Sequence, residues 1–335
     1  MQLTFFFPFS LPYLNLFLQQ DFRISESLLS YSPSNNLLIR SSTERKLTVG
    51  MSERNVSLCH LRVTIIQAQF FCKQGHLHCA FLTSLRTDLR HSSIWYRHLG
   101  AGSGIGRETC RVLAREGAKV IAADQNIKTA EETINILNGS DHIALSVNVT
   151  NPRNIEQVFK HIVNQFSTSP TIIVNSAGIT KDNFLLKLSE TDFDNVMNVN
   201  LKGTFLVMQS AVKAMIETGT TEGSSIINVS SIIGKLGNIG QGNYSASKAG
   251  VEALTKTASM EFGKLGIRVN AVLPGFIDTP MTATVPDNVK NMFIKRIPFE
   301  RMGKPNEVAE VIAFLASSRS SYVNGASIEV TGGMH

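Results

Sequence analysis

The sequence predicts an α/β fold in which a doubly wound, mostly parallel sheet forms a single domain over residues 99–335. Three observations lead to this prediction. Short apolar runs typical of buried strands alternate with stretches of helical period from residue 107 onward. A glycine-rich turn precedes the first of these helices. Near the middle of the domain, a serine, a tyrosine and a lysine recur at spacings that bring them together.

The predicted elements follow one another in a regular order. Helices are predicted over residues 107–116, 155–166, 193–214, 250–262 (continuing a helix that carries Tyr244) and 307–315. Strands are predicted over residues 119–123, 142–149, 171–175, 226–229, 268–273 and 327–330. Parallel strands that are buried on both faces read as nearly continuous apolar runs, and most of these segments do.

The glycine-rich turn spans Gly100 to Gly106 and has the composition of a phosphate-binding turn. Glycine lets the backbone bend sharply and approach the phosphates of a dinucleotide, while the following helix turns its N-terminus to their charge. Asp124 ends the next strand, where a carboxylate accepts hydrogen bonds from the adenosine ribose and repels a 2′-phosphate. Because Gln125 follows it, and not an arginine, the sequence predicts NAD(H) as the cofactor. The alternative for Asp124 is a helix-capping or loop aspartate.

The central stretch, residues 226–250, carries the predicted chemistry. Tyr244 and Lys248 are four residues apart and share one helical face, while Ser231 stands at the end of the preceding strand. An ammonium group one turn away lowers the pKa of a phenol. Tyr244 can then exchange a proton with an alcohol oxygen that Ser231 holds, so these two are the predicted substrate-binding residues. The alternative for the Tyr–Lys pair is a solvated helix face.

Composition excludes several classes of protein. A mean hydropathy of +0.04 and 43% hydrophobic residues fit a soluble globular protein. Four cysteines in 335 residues do not indicate a disulfide scaffold and favour a reducing compartment. The net charge of +6 lies mostly in residues 1–98, which hold ten Lys/Arg and five Asp/Glu. No basic stripe interleaves with aromatic residues, so we expect no nucleic-acid partner.

Residues 1–98 are predicted to be a disordered extension, because most of this segment has no sustained period and residues 30–50 are rich in Ser and Asn. Its apolar start is broken by Pro8 and Pro12 and is too short for a membrane span, and it lacks the basic region of a signal peptide. The spacing of Cys59, His60, Cys72, His76, His78 and Cys79 matches no common zinc pattern, so we predict no metal. The sharp change at Gly100 suggests an alternative or misjoined N-terminus.

The segment before the glycine-rich turn is a poor match to the strand expected there. The first strand of such a sheet is central and buried on both faces, but residues 93–99 read Ser-Ile-Trp-Tyr-Arg-His-Leu. Arg97 and His98 stand where the apolar run should be, and an unpaired buried arginine costs several kcal/mol. The first strand is therefore predicted to be atypical or missing.

Further motifs occur in an order that resembles the short-chain dehydrogenase/reductase family. They are Asn175-Ser176-Ala177-Gly178, Asn198-Val199-Asn200, Pro274-Gly275 and the ending Val330-Thr331-Gly332-Gly333. With the glycine-rich turn and the Tyr–Lys pair, the resemblance covers residues 100–333. The residues around Tyr244 and the ending are similar to the 3-oxoacyl-carrier-protein reductases and the animal 17β-hydroxysteroid dehydrogenases of this family. The family has Thr at the position of Leu99.

The resemblance implies a Rossmann-like fold and an NAD-dependent enzyme that acts on CH–OH donors. It assigns catalytic roles to Asn200, Ser231, Tyr244 and Lys248, with Asn200 holding a water that links Lys248 to solvent. The implied cofactor-binding residues are Gly100, Ser103, Gly104, Ile105, Gly106, Asp124, Gln125, Asn148, Val149, Asn175, Ala177, Gly178, Tyr244, Lys248, Pro274, Gly275, Ile277 and Thr279. The Asn148 amide oxygen would accept from the adenine amino group, and Thr279 would donate to the nicotinamide carboxamide. Residues 280–304 would form a substrate lid, or else ordinary core.

The resemblance also implies substrates, partners and location. The main substrates would be (3R)-3-hydroxyacyl and 3-oxoacyl thioesters, with 17β-hydroxysteroids such as estradiol as the alternative. A homotetramer, or a heterotetramer with a related carbonyl-reductase subunit, is expected in the mitochondrial matrix, with the cytoplasm as the alternative. A second hypothesis is a catalytically impaired variant or a non-catalytic partner subunit, because the first strand is replaced.

Overall fold

The computed structural model describes residues 100–335 in full and, before them, only the backbone of six short strands. The described residues belong to two compact units, Met1–Phe81 and Leu82–His335. In the first unit, Leu37–Ile39 pairs antiparallel with Thr4–Phe5 and with Leu29–Tyr31, and Cys72–Lys73 pairs antiparallel with His76–Leu77. The rest of the predicted disordered extension and the Cys/His side chains considered as a metal site lie outside the described residues.

The second unit alternates strands with helices, as the sequence predicts. The strands are β1 (Trp95–Leu99), β2 (Lys119–Asp124), β3 (Ile143–Ser146), β4 (Ile172–Asn175), β5 (Ser225–Val229), β6 (Arg268–Pro274) and β7 (Ser327–Val330). The helices are α1 (Gly104–Arg115), α2 (Ile127–Asn135), α3 (Pro152–Phe166), α4 (Glu190–Met197), α5 (Gly203–Thr218), α6 (Ile233–Leu236), α7 (Gly242–Gly263), α8 (Pro280–Ala283), α9 (Asp287–Ile294) and α10 (Pro305–Ala316). A π-helical turn, Asn198–Lys202, joins α4 to α5, and a short 3-10 turn, Ser318–Ser320, follows α10.

The sheet is parallel throughout, and its strand order is β7-β6-β5-β4-β1-β2-β3. Apolar residues of the strands alternate between its two faces. Ile172 and Val174 of β4 pack in a core with α1 and α10, whereas Ile173 packs in a second core with α3 and α5. Helices therefore cover both faces, and the predicted doubly wound α/β fold is confirmed.

Strand β1 is present and central, so the alternative that the sheet lacks its first strand is wrong. Its backbone pairs in parallel with β2 on one side, from Trp95 opposite Lys119 to Leu99 opposite Ala123. It pairs with β4 on the other side, ending with Leu99 opposite Asn175. The sequence remains atypical for this place in the sheet, but the topology of the fold requires a strand between β2 and β4.

One predicted helix differs in a way that matters for the site. The sequence predicts one long helix over residues 193–214, whereas the structure has α4, the π-helical turn and α5 in succession. A π-helical turn widens the helix by one residue and occurs often at functional sites. Here the widened turn contains Asn200, one of the predicted catalytic residues.

The strand order reverses between β1 and β4. From this point, the connections lead outward in opposite directions, which leaves a crevice beyond the carboxyl ends of the two strands. The glycine-rich turn follows β1, and Ser176-Ala177-Gly178 follows β4, so both predicted cofactor motifs lie at this crevice.

Candidate active site

A groove of about 500 Å³ occupies the crevice. Twelve of the predicted cofactor-binding residues line it: Gly100, Ser103, Gly104, Ile105, Gly106, Asp124, Gln125, Asn148, Val149, Ala177, Gly178 and Thr279. The groove is thus lined by the glycine-rich turn, by an acidic residue and by the loop after β6, whose Thr279 lies next to Gly104 of the turn. These features fit an elongated dinucleotide.

The glycine-rich turn is bent so that its backbone hydrogen-bonds to the neighbouring strand β2. The backbone N–H groups of Gly100 and Ala101 both donate to the Ala123 carbonyl, at 3.0 and 3.1 Å. Gly100 has φ +77°, and a Cβ atom there would lie 2.9 Å from the backbone nitrogen of Ala177. Only glycine satisfies both the positive φ and this close approach. The turn therefore brings the ends of β1 and β4 together at the floor of the groove.

The N-terminus of α1 is open to a ligand. Ser103, at the N-cap, makes no side-chain capping hydrogen bond, and the first turn contains no acidic residue. The first N–H groups of a helix have no partner within it and carry partial positive charge. Helix α1 therefore offers the groove an anion-binding end of the kind that holds phosphate.

Asp124 is held in place by backbone groups on two sides. Its Oδ2 accepts from Gly102 N–H at 2.9 Å, and its Oδ1 accepts from Asn126 N–H at 3.0 Å. Each oxygen retains a lone pair for a further donor, such as a ribose hydroxyl. Arg107 lies near this turn, but its guanidinium donates to the Gly102 carbonyl at 2.6 Å and to Glu132 at 2.9 Å. The charge of this arginine is thus already paired.

Asn148 differs from expectation in its hydrogen bonds. Its Oδ1, the atom predicted to accept from an adenine amino group, already accepts from Thr150 N–H at 3.0 Å and from the Thr150 hydroxyl at 2.8 Å. Two bonds fill the lone pairs of an amide oxygen. The residue lines the groove, as predicted, but the side chain stabilises its own loop.

The three central residues converge as their spacing predicts. Ser231 follows β5, is almost fully buried and shares a hydrogen bond with the side chain of Tyr244 on α7. Lys248 is buried one turn further along α7, with its Nζ 5.6 Å from the centre of the Tyr244 ring. The solvated-face alternative is therefore wrong, since burial of a lysine is rare without a specific role.

Electrostatics around Tyr244 differ from the prediction. The pKa of Tyr244 lies above its ordinary value, because burial disfavours the phenolate, although the Ser231 hydrogen bond acts to lower it. Lys248 donates to the Val229 carbonyl at 2.8 Å and not to the phenol oxygen. Burial lowers the pKa of Lys248 to about 8. The protein alone thus disfavours charge on both groups, and the predicted lowering of the Tyr244 pKa by Lys248 does not outweigh burial.

The pKa of Lys248 predicts a specific pH dependence of stability. Its folded value of about 8 is below its ordinary value of 10.5, so between these pH values the unfolded chain holds a proton that the folded chain lacks. The free energy of unfolding should therefore rise with pH across this window, by about 3 kcal/mol from this residue. Urea unfolding of the wild type and of Lys248→Met at both ends of the window would measure it. Equal pH slopes for the two chains would contradict the burial of a titrating lysine.

Asn200 fastens the widened turn to the loop after β4. Its Nδ2 donates to the Ile179 carbonyl and to Ser247 Oγ, both at 3.0 Å, and its Oδ1 accepts from Ile179 N–H at 2.9 Å. A Cβ atom at Gly178 would lie 3.4 Å from Asn200 Oδ1 and 3.5 Å from Lys248 Nζ. Asn200 is therefore buried close to Lys248 and does not lie on the protein surface.

Six predicted cofactor-binding residues do not line the groove with the twelve named above. Two of them, Tyr244 and Lys248, lie beside it as described, and the other four are placed as follows. Asn175 is buried and donates to Asn228 Oδ1 at 2.8 Å. Pro274 ends the buried strand β6. Gly275 packs against Thr331, since a Cβ atom at position 275 would lie 2.9 Å from the Cα of Thr331. Ile277 is 4% exposed and packs in the core beside α1 and α10. These four residues contact other parts of the protein interior and do not line the groove.

Sequence reasoning missed several residues that hold the central three. Asn228, in β5, donates to Thr255 of α7 at 2.9 Å, so the chain Asn175–Asn228–Thr255 links two strands to the tyrosine helix through the core. Ser230 donates to the Lys248 carbonyl at 2.8 Å. A Cβ atom at Gly234 would lie 2.8 Å from the Ala249 backbone nitrogen. A polar residue inside an apolar strand, such as Asn228, was the one available sequence signal.

The predicted lid, residues 280–304, combines both alternatives. Ile297 is buried, and Phe293 is partly buried and stacks on Phe276 with ring centroids 5.1 Å apart. Met281 and Phe299 are exposed, at 49% and 68%, and Met281 lines the groove. Part of the segment is therefore core, and part presents apolar side chains to solvent beside the site.

Among the described residues, every helix is too short or too polar to cross a membrane.

A family model described as Enoyl-(Acyl carrier protein) reductase matches residues 100–335. The (3R)-3-hydroxyacyl-CoA dehydrogenases of Homo sapiens and Mus musculus are 49% and 50% identical over 244 and 259 residues. These alignments cover 70% and 75% of this chain and 93% and 99% of those proteins. A 3-oxoacyl-[acyl-carrier-protein] reductase of Thermotoga maritima is 47% identical over 239 residues, 70% of this chain and 95% of that protein.

Proposed function

Because the chain belongs to the short-chain dehydrogenase/reductase family, we propose that it uses NAD(H) to interconvert (3R)-3-hydroxyacyl and 3-oxoacyl thioesters. The observation that carries the proposal is the convergence of Ser231, Tyr244 and Lys248 beside the groove. The relatives' names supply the substrate class, since one group is named for a hydroxyacyl thioester and another for an oxoacyl thioester.

The groove residues would hold the cofactor, which supplies or accepts the hydride when it is bound. Gly100, Ser103 and the N-terminus of α1 would face its phosphates, and Asp124 its adenosine ribose. Thr279, which lies next to Gly104 and lines the groove, would hold the carboxamide end. Lys248 would bind the nicotinamide ribose.

Tyr244 would transfer the proton to or from the alcohol oxygen. Ser231 would donate a hydrogen bond to that oxygen and so favour negative charge on it, while the Lys248 ammonium would stabilise the phenolate that forms. The raised pKa of Tyr244 keeps its proton in place for reduction of a ketone, because burial disfavours the phenolate. Asn200 would complete the relay to solvent through a bound water.

A direct assay tests this proposal. Purified chain should oxidise NADH in the presence of a 3-oxoacyl thioester and reduce NAD with a (3R)-3-hydroxyacyl thioester, whereas the (3S) isomer serves as the control. Estradiol is assayed beside them, because 17β-hydroxysteroids are the second substrate class. Failure with every thioester would reject the proposal. It would favour the alternative of a catalytically impaired chain or a partner subunit without its own activity, whose basis is the atypical strand β1.

The preference for NAD(H) over NADP(H) is expected to depend on Asp124. Its carboxylate would repel a 2′-phosphate, and the nearby Arg107 is already paired with Glu132. Asp124→Ser should therefore relax the ratio of kcat/KM for NADH to that for NADPH toward unity. Steady-state kinetics with both cofactors would measure this ratio, with Asp141→Ser, on the surface away from the groove, as the control. A wild-type chain that prefers NADPH would contradict the assignment.

Assembly and location belong to the same proposal. An apolar groove between the widened turn and α7 is lined by Met197, Leu201, Phe205, Ala253 and Leu254, among others. Phe205 is 42% exposed there, which supports association with another subunit. A homotetramer, or a heterotetramer with a related carbonyl-reductase subunit, would cover this groove. The mitochondrial matrix is the proposed location, with the cytoplasm as the alternative, and light scattering and fractionation would test these points.

A further inference from the structure

The loop that follows β4 is tied to the start of the tyrosine helix at two points. Asn183 N–H donates to the Gly240 carbonyl at 2.8 Å, just before α7. Asn243 Nδ2, one residue before Tyr244, donates to the Lys181 carbonyl at 2.9 Å. Lys181 and Asn183, which flank Asp182, are therefore hydrogen-bonded to Asn243 and Gly240, which flank the N-terminus of α7. This arrangement places Asp182 beside the helical turn that carries Tyr244.

The side chain of Asp182 is held as well as its backbone. Its Oδ2 accepts from Gln241 Nε2 at 3.0 Å, and Gln241 Oε1 accepts from Asn238 Nδ2 at 2.9 Å. Gln241 is the N-cap residue of α7, three positions before Tyr244. Although Asp182 is exposed, this chain of hydrogen bonds restrains its carboxylate beside the N-terminus of α7.

Three polar or charged side chains surround Tyr244, and each comes from a different part of the chain. Ser231, after β5, shares a hydrogen bond with it, and the Lys248 ammonium on α7 lies 5.6 Å from the ring centre. Asp182, on the loop after β4, acts through its negative charge, which raises the pKa of Tyr244. Asp192 and Lys181 contribute backbone oxygens to Asn243. Of these side chains, Ser231 acts to lower the pKa of Tyr244, and Asp182 acts to raise it.

We propose that Asp182 is a positioning residue that sets the pH range in which Tyr244 exchanges its proton, by holding a negative charge beside the first turn of α7. The inference rests on the proposed function, because it assumes that Tyr244 transfers the proton. A negative charge near the phenol disfavours the phenolate. Asp182 thus keeps Tyr244 protonated to a higher pH and favours its role as the proton donor in ketone reduction over its role as the base in alcohol oxidation.

Asp182→Asn tests this charge without removing the contact to Gln241, since the amide oxygen can still accept that hydrogen bond. The rate of alcohol oxidation should rise with pH as Tyr244 loses its proton. In Asp182→Asn, this rise should move to lower pH by about half a unit, which is about threefold in rate below the midpoint. High salt should abolish the difference, because an exposed charge is screened. Asp194→Asn, an equal charge change on α4, is the control.

An ultraviolet titration gives a second readout that does not depend on turnover. The phenolate absorbance of each chain, minus that of the same chain carrying Tyr244→Phe, isolates the titration of Tyr244. A shift to lower pH in Asp182→Asn, absent from Asp194→Asn, supports the inference. No shift, or an equal shift in the control, overturns it. If the wild type oxidises no alcohol at all, the proposed function fails, and this titration still decides whether Asp182 acts on Tyr244.

Discussion

Tyr244→Phe is expected to lower turnover by about 10²–10⁴-fold, the usual contribution of a positioned acid–base group. The change removes one oxygen and its transferable proton, while the ring remains to pack beside Lys248. The groove that would hold the cofactor is built mainly from the glycine-rich turn and the loops after β2, β3 and β4, so NADH affinity should change little. Steady-state kinetics and a fluorescence titration with NADH would measure the two effects separately.

Tyr322→Phe is the matched control, because Tyr322 is fully exposed and the same atom is removed. This variant should have normal turnover and normal NADH affinity. A Tyr244→Phe chain with near-normal turnover would rule out the assigned proton transfer. A parallel loss of NADH affinity and turnover would instead indicate that the phenol hydroxyl is needed to shape the site.

Arg97→Val is expected to raise the free energy of unfolding by about 2 kcal/mol or more. Position 97 lies in the backbone of β1 between Ile121 of β2 and Ile173 of β4, and both of these residues are fully buried. A valine suits a strand with buried neighbours on both sides, whereas arginine is a poor residue for such a strand. The Gly100 turn follows directly after β1, so NADH affinity should rise together with stability. Thermal melts and NADH titrations would measure both quantities.

Arg319→Val, at an exposed position, controls for the loss of one positive charge. It should leave both quantities nearly unchanged, as most surface substitutions do. Equal melting temperatures for Arg97→Val and the wild type would show that the native segment already serves as an adequate first strand. The hypothesis of a catalytically impaired chain would then lose its physical basis.

The candidate site could be predicted where it depends on local spacing. Tyr244 and Lys248 are one helical turn apart, and Ser231 ends the strand before them, so their convergence follows from helix geometry and strand direction. The glycine-rich turn and Asp124 were predictable for the same reason, since a turn, a helix and a strand follow one another within 25 residues. The resemblance to the family implies that Pro274, Gly275 and Ile277 bind the cofactor. A resemblance of sequence does not show which side of a loop faces the groove.

The sequence by itself determined the alternation of strands and helices, because apolar periodicity and turn residues act over a few positions. It also predicted that Ser231, Tyr244 and Lys248 lie together. Only the tertiary structure decided the pKa of Tyr244, since burial and the charge of Asp182, 62 positions away, act through space. It also decided the central position of β1, where pairing with β2 and β4 on both sides overrides an unfavourable local sequence. The periodicity of a sequence indicates which local structure a segment favours. The environment of each residue in the sheet depends instead on the strands and helices that surround it in space.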